Sequence, residues 1–146
     1  MTTLRDCIQF ANDNEVCYIA TMDGDQPRVR AFAMWFADET GFYFHTGQTK
    51  AVWSQLQANP KVEVCHYASS PTPGRSTMMR VAGTVESLDD IELKRRLFEE
   101  RPFLKEIGTG RPEDPLVQVF RIASGEARFW TMGDNLREDE VKPVVF

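Results

Sequence analysis

The strand-like segments near the start of this chain are joined by turns too short for a crossover. Valine, isoleucine, threonine and aromatic residues are frequent in segments 16–22, 27–36 and 42–45, and the links between them contain Asp-Gly-Asp and Asp-Glu-Thr-Gly. Parallel neighbours need a connection of about a dozen residues or more, so these segments are expected to pair antiparallel as a meander. Twisted antiparallel sheets usually curl or close to remove their exposed edges.

Further strands follow at similar spacing. They are predicted at residues 62–68, 78–85, 117–122 and 127–132. Ser124-Gly125 has turn chemistry and is expected to reverse the chain between the last two. The prediction is therefore a mainly β protein, a six-stranded antiparallel barrel with peripheral helices.

Helical spacing of apolar residues predicts three helices. The first covers residues 4–14 and the second residues 51–58, before Asn59-Pro60. A third is expected to begin at Asp89, where Asp89 and Glu92 form a capping-box-like pair, and to end near Arg101. The 146 residues are expected to form a single domain, 1–146, because domains usually contain about 100–150 residues.

Charge balance and the scarcity of metal-binding side chains exclude several classes of function. With 17 basic and 22 acidic residues the net charge is −5, which disfavours a nucleic-acid-binding protein. No apolar run approaches the roughly 20 residues that cross a bilayer, and the first residues lack the apolar core of a signal peptide. Three widely spaced cysteines and two histidines form neither a disulfide framework nor a metal motif. We therefore expect a cytoplasmic protein without a metal ion that binds neither nucleic acid nor a membrane.

Alternation along segment 27–36 puts two arginines on a face with large apolar side chains. One face carries Arg28, Arg30, Phe32, Met34 and Phe36, and the other carries Val29, Ala31, Ala33 and Trp35. On the strand alone, the arginine stems could simply cover apolar surface while their charged ends reach water. The residues that follow favour a second interpretation.

The turn between the third strand and the second helix has the features of an anion site. Residues 45–50 read His-Thr-Gly-Gln-Thr-Lys and lead directly into the helix. Free N–H groups and the helix dipole favour negative charge there by about 0.3–1 kcal/mol for each contact. Lys50 adds a point charge, and Arg30 adds a bidentate fork if its strand pairs beside this turn. The alternative is an ordinary helix start, with Thr46 or Thr49 as N-cap and Lys50 in solvent.

Three stretches together carry a family resemblance. They are QPRVRAFAMWFADETGFYFHTGQTKAVWSQLQANPKVEV at 26–64, MMRVAGTVE at 78–86 and VFRIASGEARFWTMG at 119–133. In order and spacing they resemble the flavin-binding split-barrel proteins related to pyridoxamine 5'-phosphate oxidase, especially short members that are similar to the nitroimidazole-resistance proteins. The resemblance implies a six-stranded split barrel that forms a homodimer and binds FMN in two clefts at the dimer interface.

The same resemblance implies roles for individual residues. Arg30 occupies the place of the arginine that holds the FMN phosphate, and Thr46, Thr49 and Lys50 match the residues that complete the phosphate site. The residues expected to line the isoalloxazine ring are Phe32, Ala33, Met34 and Trp35. Trp130 is expected to flank the flavin of the partner subunit. No catalytic residue is assigned.

The chain also departs from the vitamin oxidase itself. Trp35 stands where that enzyme has a lysine, its serine-arginine-lysine run is shortened to Thr49-Lys50, and its C-terminal arginine and histidine have no counterpart. These departures disfavour the vitamin oxidase reaction itself. From the arrangement of Arg30 and Lys50 together with the resemblance, we expect an FMN-dependent oxidoreductase that passes electrons to a small planar substrate. Two alternatives stay open. One is the deazaflavin F420 or haem in the same cleft, with Arg75 and Arg80 near the acidic tail of F420, and the other is a non-enzymatic flavin-binding or stress-response module.

Overall fold

A computed structural model, which describes residues 1–146, contains eight strands and three α-helices. The strands are β1 Val16–Asp23, β2 Gln26–Ala33, β3 Phe36–Asp38, β4 Gly41–Gly47, β5 Lys61–Ala68, β6 Thr77–Leu88, β7 Val117–Thr131 and β8 Val144–Val145. The helices are α1 Leu4–Asp13, α2 Ala51–Ala58 and α3 Ile91–Glu100. Short 3-10 helices cover Pro102–Glu106, Met132–Asp134 and Glu138–Glu140. None of the helices is long and apolar enough to span a membrane.

All the strands belong to one antiparallel sheet, as the short turns predict. Its order is β2-β1-β5-β6-β7-β4-β3, and β8 pairs with β7. The sheet curls around a shared interior, because Phe32 on β2 meets Phe44 on β4 and Phe120 on β7 edge-on, with ring centroids 6.3 and 6.1 Å apart. The mainly β, barrel-like fold class is confirmed, with eight strands rather than six.

The first correction concerns segment 27–36, which is not one strand. β2 ends at Ala33 and β3 begins at Phe36. At the break, the Met34 N–H donates to the Glu15 carbonyl and the Trp35 N–H donates to the Tyr43 carbonyl. The chain changes pairing partner from β1 to β4 at this point, so residue alternation does not continue through it.

The second correction concerns Ser124-Gly125, which does not turn the chain. β7 runs without interruption through both predicted segments, and β6 pairs with it on both sides of an irregularity between Gly83 and Val85. A Cβ added at Gly125 would overlap the carbonyl oxygen of Ala82. Glycine is therefore present because the two backbones approach closely at this irregularity, and not because a turn needs it.

The helices cover the sheet much as predicted, with a small shift at α3. The N-cap of α3 is Asp90, whose side chain accepts from the N–H groups of Glu92 and Leu93, so the expected Asp89–Glu92 pair is wrong by one position. The α1 helix packs Cys7 and Ala11 into the main core. Its Asn12 side chain bonds both backbone groups of Ala37, at 2.8 and 2.9 Å, and extends the pairing of the short strand β3.

Candidate functional site

A cavity of about 670 Å³ lies between the end of β4, the inner part of β2, the start of α2 and the 3-10 helix Pro102–Glu106. Its volume falls within the roughly 300–1,000 Å³ that is typical of small-molecule sites. The lining includes three cationic side chains, those of Arg30, Lys50 and Arg101, and no aspartate or glutamate. In a chain of net charge −5, this concentration of positive charge suits an anionic ligand.

Arg30 enters this cavity from β2 and is held by neighbouring elements. Its Nη1 donates to the Thr21 hydroxyl at 2.7 Å and to the Ile19 carbonyl at 3.3 Å, and its Nη2 donates to Gln55 Oε1 at 2.7 Å. The Thr21 hydroxyl also donates to Gln55 Oε1, at 2.7 Å. Partial burial and the nearby Arg28 lower the pKa of Arg30. The guanidinium still has N–H groups free for a ligand, because three of its five are used.

The β4–α2 turn supplies donors that have no partner within the chain. Thr46 is buried, lines the cavity, and has a hydroxyl with no hydrogen-bond partner. The N-cap of α2 is Lys50, which makes no side-chain cap bond, and the N–H groups of Thr49, Ala51 and Val52 donate to no group of the protein. The alternative in which Thr46 or Thr49 caps the helix is therefore wrong. These donors surround the positive end of the α2 dipole, where an anion is stabilised.

Apolar side chains form the rest of the lining. They come from β2 and from the segment that follows α3, and they include Ala31, Phe32, Ala33, Phe103, Leu104 and Ile107. Phe103 is 59% exposed, a large apolar surface at the side of a cavity. A planar ring that filled the cavity would remove part of this surface from water, which is favourable at about 25 cal/mol for each Å².

Arg101 and His45 form a second polar group in the lining. Arg101, the C-cap of α3, places Nη1 2.8 Å from His45 Nε2 and donates to the carbonyls of Ala33 and Met34 at 3.1 and 2.6 Å. Burial lowers the pKa of His45 to about 4, with smaller contributions from the positive charges of Arg101 and Lys50. His45 is therefore a neutral imidazole near pH 7.

The structure gathers most, but not all, of the residues that the sequence singled out. Arg30, Phe32, Ala33, Thr46, Thr49 and Lys50 line one cavity. Met34 lies fully buried in the main core, and Trp35 is buried in a second apolar cluster, where its Nε1 donates to Glu100 at 3.2 Å. Trp130 borders a separate pocket with Tyr67 and Met78. Its expected contact with a partner subunit's flavin stays a prediction.

Sequence reasoning missed Thr21, Gln55 and Arg101. Thr21 follows Cys17 and Ile19 at the inward positions of β1, and Gln55 lies on the buried face of α2 beside Leu56. Polar residues at apolar positions of a strand and a helix were a usable signal for Thr21 and Gln55. No local pattern marks Arg101, since its partners lie on β2 and β4, far away in sequence.

Comparisons with known proteins agree with this fold. The family model described as pyridoxamine 5'-phosphate oxidase matches residues 4–131. The structure of a NimC/NimA family protein from Clostridium acetobutylicum is similar with 27% identity and a TM-score of 0.75, over 97% of this chain and 92% of that chain. No curated protein matches the sequence.

Two more distant structures share the fold. General stress protein 26 from Bacillus anthracis is 17% identical with a TM-score of 0.69, and the match covers 98% of both chains. A FAD-binding protein from Mesorhizobium loti is 19% identical with a TM-score of 0.66, over 88% of this chain and 92% of that chain.

Proposed function

This chain belongs to the pyridoxamine 5'-phosphate oxidase family, and on that premise we propose that its cavity binds FMN for an oxidoreductase reaction. The observation that carries the proposal is the unpartnered hydroxyl of Thr46, buried beside the uncapped start of α2. A buried hydroxyl without a partner costs about 1–3 kcal/mol, so its place is best explained by a ligand that bonds it.

The donor set fits the phosphate of FMN. A phosphate ester presents only acceptor oxygens and negative charge, and this part of the lining presents Thr46, Thr49, Lys50, free N–H groups of α2 and Arg30. Arg30 is already oriented by Thr21 and Gln55, so little conformational entropy is lost when it binds. No carboxylate lies in the lining to repel the phosphate.

The apolar lining fits the isoalloxazine ring. Phe32 and Ala33 lie along β2, and Phe103 and Ile107 lie on the segment after α3. When bound, FMN would supply the electron-transfer chemistry. The side chains of this cavity would bind and orient the cofactor and keep water from its apolar part. His45 would stay uncharged near pH 7 beside it.

A homodimer with the flavin at the subunit interface is part of the proposal. The outer face of β2, β1 and β5 exposes Val16, Tyr18, Val29 and Tyr67, which the register places on one side of the sheet. Exposed apolar patches of this kind mark contact surfaces in proteins. Ala31 pairs with Tyr18 on this face and also lines the cavity, so a partner docked here would border the cofactor.

The arrangement gives less support to the other cofactors. Neither Arg75 nor Arg80 lines the cavity, and Arg80 pairs with Glu63 and Glu138 at 3.7 and 3.2 Å, so neither arginine supports F420 from the lining. A haem iron would need an axial ligand from the lining, which contains no cysteine, methionine or tyrosine and one histidine, His45. His45 Nε2 is bonded to Arg101, and His66 is fully buried and bonded to the Asn14 carbonyl.

The proposal is tested by reconstitution and turnover. FMN is titrated into the protein while its fluorescence is followed, and the complex is then supplied with NAD(P)H and a panel of nitro compounds, quinones and pyridoxine phosphates. We expect saturable binding of one FMN for each chain and reduction of at least one acceptor. Stoichiometric FMN without any turnover would favour the non-enzymatic flavin-binding module, and the absence of binding would overturn the proposal.

A further inference from the structure

Arg101 is held in place by acceptors on three different parts of the chain. It stands at the C-terminal end of α3 and donates to the carbonyls of Ala33 and Met34, where β2 ends. Glu15 lies 3.7 Å from its Nη2, and His45 Nε2 lies 2.8 Å from its Nη1. The guanidinium is therefore occupied by protein acceptors, although it borders the cavity.

The contact between Arg101 and His45 determines which nitrogen of the imidazole is protonated. A guanidinium has only donors, so the nitrogen that faces it must accept. His45 Nε2 is that nitrogen, and a neutral imidazole that accepts at Nε2 carries its proton on Nδ1. An imidazolium would set two donors against each other at 2.8 Å. No group of the protein accepts from Nδ1.

We propose that Arg101 is a positioning residue that holds His45 as the neutral Nδ1–H tautomer, which leaves that N–H to donate to an acceptor oxygen of the ligand in the cavity. The inference rests on the proposed function for the identity of the ligand. The tautomer itself follows from the protein alone. His45 thereby becomes a ligand-contacting donor rather than a base, since its basic nitrogen is already bonded.

The surroundings of His45 favour the neutral form over a wide pH range. Burial and the positive charges of Arg101 and Lys50 all lower the pKa of His45. Burial lowers the pKa of Arg101, and the nearby carboxylates of Glu15 and Glu100 oppose that shift and favour its charged form. Phe103 lies beside the ring, with centroids 6.3 Å apart. No carboxylate is in contact with His45, so none stabilises an imidazolium there.

Nitrogen NMR of the ligand-free protein tests the tautomer directly. The chain has two histidines, so the imidazole spectrum contains only His45 and His66. We expect His45 to show protonated Nδ1 and unprotonated Nε2 at pH 7. In Arg101→Met we expect the Nε2–H form to appear, while the His66 signals stay unchanged and report an intact fold. A protonated Nε2 in the wild type, or an unaltered tautomer in Arg101→Met, would overturn the inference.

Two substitutions of His45 separate its two nitrogens. In His45→Asn the side-chain amide takes the place of Nδ1, and in His45→Gln it takes the place of Nε2. A neutral hydrogen bond contributes about 0.5–1.5 kcal/mol, so we expect His45→Gln to weaken FMN binding about three- to tenfold. His45→Asn should stay within about twofold of the wild type.

The two sets of results distinguish this inference from the proposed function. If the wild type binds no FMN, the proposed function fails, while the NMR experiment still decides the tautomer. If FMN binds and His45→Gln binds it as tightly as the wild type, the donor role is wrong and the proposed function stands.

Discussion

Arg30 Nη2 donates to Gln55 Oε1 at 2.7 Å, which connects strand β2 to helix α2 across the edge of the cavity. Gln55 is buried, and its oxygen also accepts the hydroxyl hydrogen of Thr21. The two elements that would contact a phosphate are therefore linked by a hydrogen-bond network that exists before any ligand binds. Such preorganisation reduces the entropy lost on binding.

Removing either member of this pair should weaken FMN binding to a different degree. Arg30→Gln removes a charge-assisted contact worth about 1.5–3 kcal/mol, so the dissociation constant should rise about ten- to hundredfold. Gln55→Met keeps the charge of Arg30 but removes the hydrogen bond that orients it. We therefore expect a smaller rise of the dissociation constant, about three- to tenfold. Fluorescence titration with FMN measures both.

Arg28→Gln is the matched control for Arg30. Arg28 lies two residues earlier on β2, is about half exposed, and pairs with Asp23 at 3.3 Å, outside the cavity. Its substitution should leave the FMN dissociation constant within about twofold. Equal losses in the Arg28 and Arg30 variants would mean that general charge, and not this site, attracts the ligand.

Thr46→Val should separate ligand binding from stability. Valine has the same shape and no hydroxyl, so the ligand-free protein loses an unsatisfied buried group and should become about 1 kcal/mol more stable to urea. FMN binding should weaken about three- to tenfold, because the hydroxyl is no longer there to bond the ligand. Thr46→Ser keeps the hydroxyl and should keep the affinity. A Val variant that binds FMN like the wild type would remove Thr46 from the site.

The free energy of unfolding should decrease as the pH falls through the range between the unfolded and folded pKa values of His45. The pKa of His45 is about 4 in the folded protein against 6.5 as its ordinary value, so the unfolded chain binds more protons between these two values. The free energy of unfolding should therefore be highest above about pH 6.5 and decrease toward pH 4. Urea denaturation from pH 7.5 to 4.5 measures the slope.

His45→Gln removes one titrating group and should reduce that slope. Some slope should remain, because burial also lowers the pKa of His66. An identical slope in the variant and the wild type would show that His45 does not titrate differently in the folded and unfolded states.

The proposed dimer should depend on the exposed face of β1 and β2. Tyr18→Lys puts a charge in the middle of that face, where Tyr18 pairs with Ala31 and Cys65, and light scattering should then give the mass of a monomer. Leu136→Lys is the control, because Leu136 is 93% exposed and lies on neither β1 nor β2. It should leave the dimer intact. A monomeric wild type at micromolar concentration would contradict the interface.

The parts of the site that were predictable are those with a local signal. The alternation of β2 put Arg30 and Phe32 on one face, and the turn after β4 has its donors next to each other in sequence. The place of Trp35 was not predictable in this way, since it depends on the bond from its N–H to the Tyr43 carbonyl. The turn predicted at Ser124-Gly125 was wrong for a similar reason, because pairing with β6 overrides the local preference for a turn.

The resemblance to a family added what the local patterns lack. It indicated the cofactor class, which no single segment carries, whereas the barrel already followed from the short turns between the strands. The resemblance did not indicate Arg101, because the residues next to Arg101 in sequence do not predict its contacts with His45 and the end of β2. Long-range hydrogen bonds of this kind become visible only when the sheet is assembled.

The visible absorption spectrum of the purified protein, recorded after addition of FMN and desalting, tests the central claim most directly. We predict that flavin bands stay with the wild type at about one FMN for each chain and are largely lost from Arg30→Gln. A colourless wild-type protein after desalting, with all the FMN in the low-molecular-mass fraction, would contradict the account.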